Sequence, residues 1–449
     1  MVWLLLVGLA GAEEPMDLEA LLVGELEAAQ ATLAEQEEAP HYIALAVEER
    51  HRIDISARWG ALNQSRETTD RVLDVEMRVG TPQLDSYHAL RGFSSLEGSS
   101  RSAVRLPIDD DPYALRHAIA REIDRRYRDE AERIVMVRAN LSVKVEEEAI
   151  ADDFEPRDDA QVDRRDTEPL GLDRDAWASV LVEVSDALRT DPLVHMGSVS
   201  LNGLNRIKTF VDSEGTRLVH GSNKARASVA LATTAEDGDI VQIYKAKDVH
   251  DITRLPDAEE LQTWVAEARA DLAELAAAPR GEPFSGPVIL SGKAAGVFFH
   301  EVFGHRVEGH RQKSEFEGKT FAEYVGRPIL PSFIDVYDDP TISELEGEQL
   351  NGFYHYDDEG VPAARAELVD DGIFVGFLMQ RSPIPGFETT NGHGRRMAGR
   401  APKSRMATPS SRRAPRSARR SCDDSSSVRS RNKAWSTATS SRRSRAASR

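Results

Sequence analysis

Residues 297–310, V-F-F-H-E-V-F-G-H-R-V-E-G-H, constrain this chain more than any other stretch. His300 and Glu301 are followed by His305. Two imidazoles suit a borderline-soft divalent ion, and a carboxylate beside the first can take a proton from a water held at that ion. This is the minimal kit of a zinc hydrolase. Histidines four residues apart share one face of an α-helix. Here they stand five apart, which rotates the second side chain roughly 140° from the first, so a straight helix points them away from each other. The spacing therefore predicts a local departure from regular winding, a one-residue π-bulge, with Gly304 lowering the cost of an irregular backbone. The helix is predicted to begin near Ser291 and Gly292, after a strand-like apolar run at 287–290 and a loop at 283–286. Ala294, Ala295, Val297, Phe298 and Phe299 are apolar. The histidines are thus expected to emerge from a buried segment, where an unpaired imidazole is costly. The bland alternative is a solvated helix end with satisfied histidines.

The chain has 449 residues, 40% of them apolar, enough for two or three domains with a sizeable core. Residues 1–12, M-V-W-L-L-L-V-G-L-A-G-A, end in an Ala-x-Ala cleavage pattern. The run is shorter than an ordinary secretory signal and has no basic residue before its apolar core, so a trimmed signal and a frayed apolar terminus both stay open. No other stretch is long and apolar enough to span a bilayer.

Residues 18–36 read as a surface helix, and 42–47, 52–58 and 72–79 as strands of an antiparallel sheet. Residues 110–149 form a charged, largely helical region, a solvated face with i,i+4 ion pairs. Residues 150–173 are acidic and patternless and read as a linker or exposed loop. Helices follow at 174–188 and 257–277. Between them, 197–201, 207–212, 216–220 and 228–233 read as four short strands, with Ser213-Glu214-Gly215 as a tight turn. Strands return at 332–337, 364–369 and 374–380, the last two joined as a hairpin by Asp370-Asp371-Gly372. The expected fold class is α+β: an N-terminal domain at 13–190 with an antiparallel sheet and helices, then a mostly β catalytic domain at 191–406 carrying the His-Glu helix.

From residue 407 every pattern stops. Ser and Arg make up 24 of the last 43 residues, and 401–449 carry 14 Lys and Arg against two Asp. Such a tail cannot bury a core and is expected to be disordered. It is either a basic tail suited to acidic surfaces or the product of a reading-frame shift. The rest of the chain is strongly acidic, which argues against nucleic acid as a partner of the folded part.

Several blocks together resemble the TldD/PmbA family of peptidases. The run G-V-F-F-H-E-V-F-G-H-R-V-E-G at 296–309 is similar to that family's metal-site helix, and 313–319 to the segment after it. D-D-E-G-V-P at 357–362, L-V-D-D-G-I-F-V-G-F-L at 368–378 and N-G-H-G-R-R at 391–396 resemble further family blocks, as does 210–238 upstream. The likeness covers about residues 195–406, in the family's order. It implies a zinc metallopeptidase acting on small or unfolded peptides, with His300 and His305 as metal ligands and Glu301 as general base. It further implies a dimer, homomeric or with a metal-free PmbA-like subunit. The family default is the cytoplasm, and export follows if 1–12 is a trimmed signal.

A catalytic zinc takes three protein ligands and one open position. In the family the third is a cysteine near the C-terminus. The single cysteine here, Cys422, lies within the aberrant tail, and His310 and Glu308 are nearer candidates, although five more positions again leave the shared face. Residues 391–396 suit an anion, a phosphate or a carboxylate, because Gly-flanked amides and an arginine favour negative charge. Asn391, Gly392 and Arg395 are thus candidate substrate-binding residues, a plain structural turn being the alternative. No Gly-rich nucleotide loop, serine nucleophile elbow or paired-carboxylate glycosidase pattern occurs. The rival to an enzyme is a non-catalytic family member serving as a regulatory or peptide-binding subunit, favoured by the missing third ligand. If the tail is frame-shifted, translating the gene's other frames beyond about codon 400 will recover Gly-rich strands and a late cysteine. Continued Ser/Arg-rich sequence in every frame would sink that reading.

Overall fold

The computed structural model describes residues 16–90, 103–142, 151–313 and 319–413. Its centre is one eight-stranded sheet. β1 (Pro40–Arg58) and β2 (Ala61–Thr81) form a long antiparallel hairpin whose turn residues, Trp59 and Gly60, both have positive φ. Two-residue turns of that kind match the twist of paired strands. Short strands β3 (Leu84–Asp85) and β4 (Val104–Leu106) border β2, while β5 (Val162–Arg164) runs parallel to β7 at the far side. β6 (Met196–Asp212) pairs with β1, β7 (Arg217–Thr234) with β6, and β8 (Ile240–Val249) with β7. The domain division expected at 190/191 therefore runs through a single sheet, since β6 and β7 complete the sheet that β1 and β2 begin.

Alternation along the strands sorts the two faces. Odd positions of β1, Ile43, Leu45 and Val47 at one end and Ile53 and Ile55 at the other, face the helices. α1 (Leu18–Leu33) and α2 (Pro112–Ser142) cover the first end, α3 (Arg174–Asp186) and α4 (Ala258–Ala277) the second. Asp17, Asp173 and Asp257 cap α1, α3 and α4 by accepting free amides of the first turn. Even positions Tyr42, Ala44 and Ala46 pack instead with Phe154, Phe210 and Leu218, on the face that receives the C-terminal part. The N-terminal sheet with its helices and the β-rich part that follows make the fold α+β.

Where four short strands were expected, the structure has two long ones, β6 and β7. Gly203 and Gly221, in the gaps between the expected strands, lie inside continuous strands. A Cβ at Gly203 would meet Leu170 and Leu172 at 2.6 Å, and one at Gly221 would meet Thr167 at 2.4 Å. The glycines admit the crossing segment at 167–172 rather than breaking the strands. Residues 151–173 are mostly exposed, as expected of a loop, but the segment is pinned to the fold at Phe154 and Leu170. Phe154 is 1% exposed, and the guanidinium groups of Arg78 and Arg381 lie 4.4 and 4.2 Å from its ring. Residues 287–290 form no strand.

Beyond α4, a four-stranded sheet runs in the order 373–374, 366–370, 334–338, 409–413. Asp371 and Gly372, both at positive φ, close the expected hairpin. The tail does not begin at 407. Asp338 accepts the Ala407 and Thr408 amides, and Pro409–Arg413 pairs with Ile334–Asp338. Residues 1–12 and the rest of the tail, with Cys422, lie outside the described residues. Among the described residues no helix is long and apolar enough to cross a membrane.

Buried charges join this part to the central sheet. Lys208 on β6 donates to Asp358 at 2.8 Å, Arg396 to Glu76 at 3.4 Å, and the Gly399 amide to Asp74 at 2.8 Å. Lys208 and Arg395 hold Asp358 well below the ordinary carboxylate range despite its burial. Glu359 goes the other way, raised by burial and then by the neighbouring Asp357 charge. The proton belongs on Glu359, because Asp357 accepts three backbone amides, those of Glu359, Val361 and Gly394. An acid whose folded pKa is raised binds more protons folded than unfolded, so its share of stability is present at low pH and is lost as pH rises. Thermal unfolding should accordingly show wild type losing stability between about pH 5 and 8, with Glu359→Gln flattening that decline. A wild-type curve flat over the range would refute the assignment.

Candidate metal centre

α5 (Gly292–Val302) begins at Ser291, as its sequence predicts, and ends between the two histidines. The helix ends at its C-cap Phe303, stretched to φ −111°, ψ −54° within the right-handed region, and a 3₁₀ turn, Gly304–Val307, follows. The winding is broken by a helix end, not by a π-bulge. His300 sits on the last turn of α5 and His305 on the 3₁₀ turn, and their rings meet at 4.7 Å between centroids and 81° between planes. One ligand atom from each of His300, Glu301 and His305 falls within 4.8 Å of the others. Convergence accompanies the switch from α to 3₁₀ winding between the histidines, which the residue count alone does not reveal.

The break is held from below. Phe303 and Val307 are buried in an aromatic core with Phe374, Phe377 and Leu378. Gly304 has no positive φ; its role is space, since a Cβ there would lie 1.8 Å from Met406 Sδ. The strand-like segment at 377–379 straps the turn: the Leu378 amide donates to Val307 O and the Gly309 amide to Leu378 O, each at 2.9 Å. Asn391 clamps that strap, accepting the Met379 amide at 2.7 Å and donating to Phe377 O at 2.9 Å.

The upper side of α5 is open, contrary to the expected burial. Val297 is 60% and Phe298 50% exposed, and no residue of α5 is fully buried. Both lie one turn before Glu301, at i−4 and i−3, so an apolar stripe leads to the carboxylate. Gly296, one turn before His300, leaves open space at its Cβ position.

The other sequence candidates do not join the His300, Glu301 and His305 cluster. His310 is outside the cluster; it is half-buried and held well below the ordinary imidazole range by desolvation, with Lys403, Arg405 and Arg311 adding to the shift. Glu308 is fully buried, 0% exposed, and its oxygens are taken by Arg311 and Arg405. The predicted anion loop does bind an anion, but an internal one. Arg395 Nε and the Arg396 amide donate to Asp358 Oδ2 at 3.0 and 2.9 Å. Gly392, at φ +73°, lies against Pro362 O, and its carbonyl accepts from Tyr354 Oη at 2.7 Å. Asn391, Gly392 and Arg395 are thus occupied in holding the scaffold and not turned to a substrate. A second acidic cluster, Asp335, Asp370 and Asp371, contains no imidazole and sits at the hairpin turn, where Asp335 accepts the Asp371 amide.

Two histidines and an adjacent carboxylate are a donor set for a divalent cation, and their ligand atoms lie close enough together to share one. Arg405 and Arg311 are the neighbours that sequence reading missed. Arg311 stands three residues from Glu308, whereas nothing local to Glu308 points to Arg405, 97 positions on.

Residues 284–415 match the family model described as PmbA/TldA metallopeptidase C-terminal domain. A metalloprotease of Methanothermobacter thermautotrophicus is 29% identical over 191 residues, 41% of this chain and 38% of that protein. One from Archaeoglobus fulgidus is 30% identical over 144 residues, 32% and 31% of the two chains. A metalloprotease TldD homologue of Haemophilus influenzae is 32% identical over 112 residues, 24% and 22% of the two. The matched stretches span well under half the length of these relatives. Among solved structures, TldE from Thermococcus kodakarensis superposes with TM-score 0.56 at 15% identity, over 89% of this chain and 79% of that one. A putative modulator of DNA gyrase from Thermotoga maritima superposes with TM-score 0.52 at 13% identity, over 84% and 76%. At such identities the likeness is one of fold.

Gly304→Ala should force Met406 aside and lower stability by about 1–3 kcal/mol. Met406→Ala in the same chain should recover part of that loss, read by thermal or denaturant unfolding. Additive losses in the double variant would show that the two residues do not meet.

Proposed function

We propose that this chain belongs to the TldD/PmbA family, whose C-terminal domain model its residues 284–415 match, and that it is a zinc-dependent metallopeptidase that hydrolyses peptide bonds in small or unfolded peptides. The observation that carries this reading is the meeting of His300, Glu301 and His305 across a helix end. His300 and His305 would hold the ion through imidazole nitrogen. When bound, zinc supplies a Lewis acid that makes water a better nucleophile at neutral pH and polarises a carbonyl.

Glu301 is placed for proton work. It follows His300 directly, is exposed, and reaches the same small space as both rings. As general base it takes a proton from the attacking water, and as general acid it returns one to the leaving amine. The exposed stripe of Val297 and Phe298 gives apolar side chains of a peptide a surface beside that carboxylate. The folded part's acidity disfavours nucleic acid as a substrate. For partners we propose a peptide substrate and a dimer, with a second copy or with a PmbA-like subunit.

A second reading has one specific support: only two imidazoles converge among the described residues. It makes the chain a metal-containing but non-catalytic peptide-binding subunit. Elemental analysis of purified protein, paired with cleavage of unstructured peptides, separates the two. The enzyme reading expects bound zinc, loss of zinc in His300→Ala and His305→Ala, and a cleavage rate lower by about 10²–10⁴-fold in Glu301→Gln. Zinc without any Glu301-dependent cleavage would leave only the binding role.

A further inference from the structure

We propose that Glu308 is a positioning residue for His305, fixing the tautomer that leaves Nε2 free for a metal, with Arg405 and Arg311 fixing Glu308 in turn. The inference rests on the assignment of His305 as a ligand. Its own support is the hydrogen-bond set around one fully buried carboxylate. His305 Nδ1 lies 2.9 Å from Glu308 Oε1. Arg405 Nη1 donates to both oxygens at 2.9 and 3.0 Å, and Arg311 Nε donates to Oε2 at 3.0 Å.

Guanidinium groups are donors only, so the oxygens they grip are acceptors. His305 Nδ1 must then be the donor, and in a neutral imidazole the lone pair falls on Nε2. Without Glu308 the ring could rotate about its side-chain bonds and carry its proton on either nitrogen. The grip also fixes direction, because the backbone at Glu308 bridges to Leu378 and cannot swing.

Arg405 gives the device reach. Its amide donates to His393 O, and the neighbouring Ser404 hydroxyl accepts the Gln380 amide. The block at 391–405 therefore sets the orientation of a ligand about 100 positions earlier without entering the cluster. A purely structural Glu308 would neutralise two arginines and leave the imidazole indifferent.

Glu308→Gln keeps the shape but can present an NH₂ group to Nδ1, which favours the opposite tautomer. In metal-free protein, long-range ¹H–¹⁵N correlation should show His305 protonated at Nδ1 in wild type and at Nε2 in the variant. Titration with Co²⁺, followed by its visible absorption, should show affinity lower by about 10–100-fold. Arg405→Lys, at a side chain 42% exposed, tests the same chain of contacts without removing a buried charge. It should weaken Co²⁺ binding by a smaller factor while leaving the fold intact. If wild type binds Co²⁺ and both folded variants bind it equally well with an unchanged tautomer, the positioning role is overturned and the ligand assignment stands. If wild type binds no Co²⁺, the ligand assignment fails and this inference falls with it.

Discussion

The structure around the site depends on one helix ending where it does. α5 stops at Val302, between two histidines that regular winding would hold apart, and the 3₁₀ turn carries the second back towards the first. An end in that position has to be fixed from outside, because helix termini leave backbone groups without partners. Here the aromatic core under Phe303, the close fit of Met406 on Gly304 and the strap at 377–379 supply the constraint.

Those supports come from far along the chain, and they are linked. Asn391 holds the strap, His393 O takes the Arg405 amide, and Arg405 reaches the buried Glu308 beside His305. The same region is tied to the central sheet by charges that burial would otherwise penalise, Lys208 with Asp358 and Arg396 with Glu76 and Asp74. Breaking a buried pair by removing one partner is far costlier than its net contribution suggests. The polar network therefore fixes where the C-terminal part sits on the sheet more than it adds to stability. That placement holds the turn bearing His305 in register with its supports.

The apolar surface of α5 has a different logic. A helix apolar on nearly all sides is ordinarily buried. In this chain only the side bearing Phe299 and Phe303 reaches the core, and Val297, Phe298 and Val302 face outward. The exposed stripe shares its helix with His300 and Glu301, so one element positions the apolar surface and two of the three groups of the cluster.

Much of this was legible in the residues. Alternating apolar positions in β1 and β2, the aspartates before α1, α3 and α4, and the Asp371-Gly372 turn each act through local physical chemistry. His300, Glu301 and His305 announced themselves by residue type. What sequence could not settle was whatever depended on contacts between distant segments. The gaps expected at 202–206 and 221–227 are continuous strand, because the segment crossing over Gly203 and Gly221 cannot be inferred from their own neighbourhood. Asn391, Gly392 and Arg395 read as a site for an external anion because the internal one, Asp358, is more than thirty positions away. The sequence by itself determined which groups could bind a cation and move a proton, since that is fixed by side-chain chemistry. Only the tertiary structure decided that two histidines five apart meet, because a helix ends where distant residues pack against it.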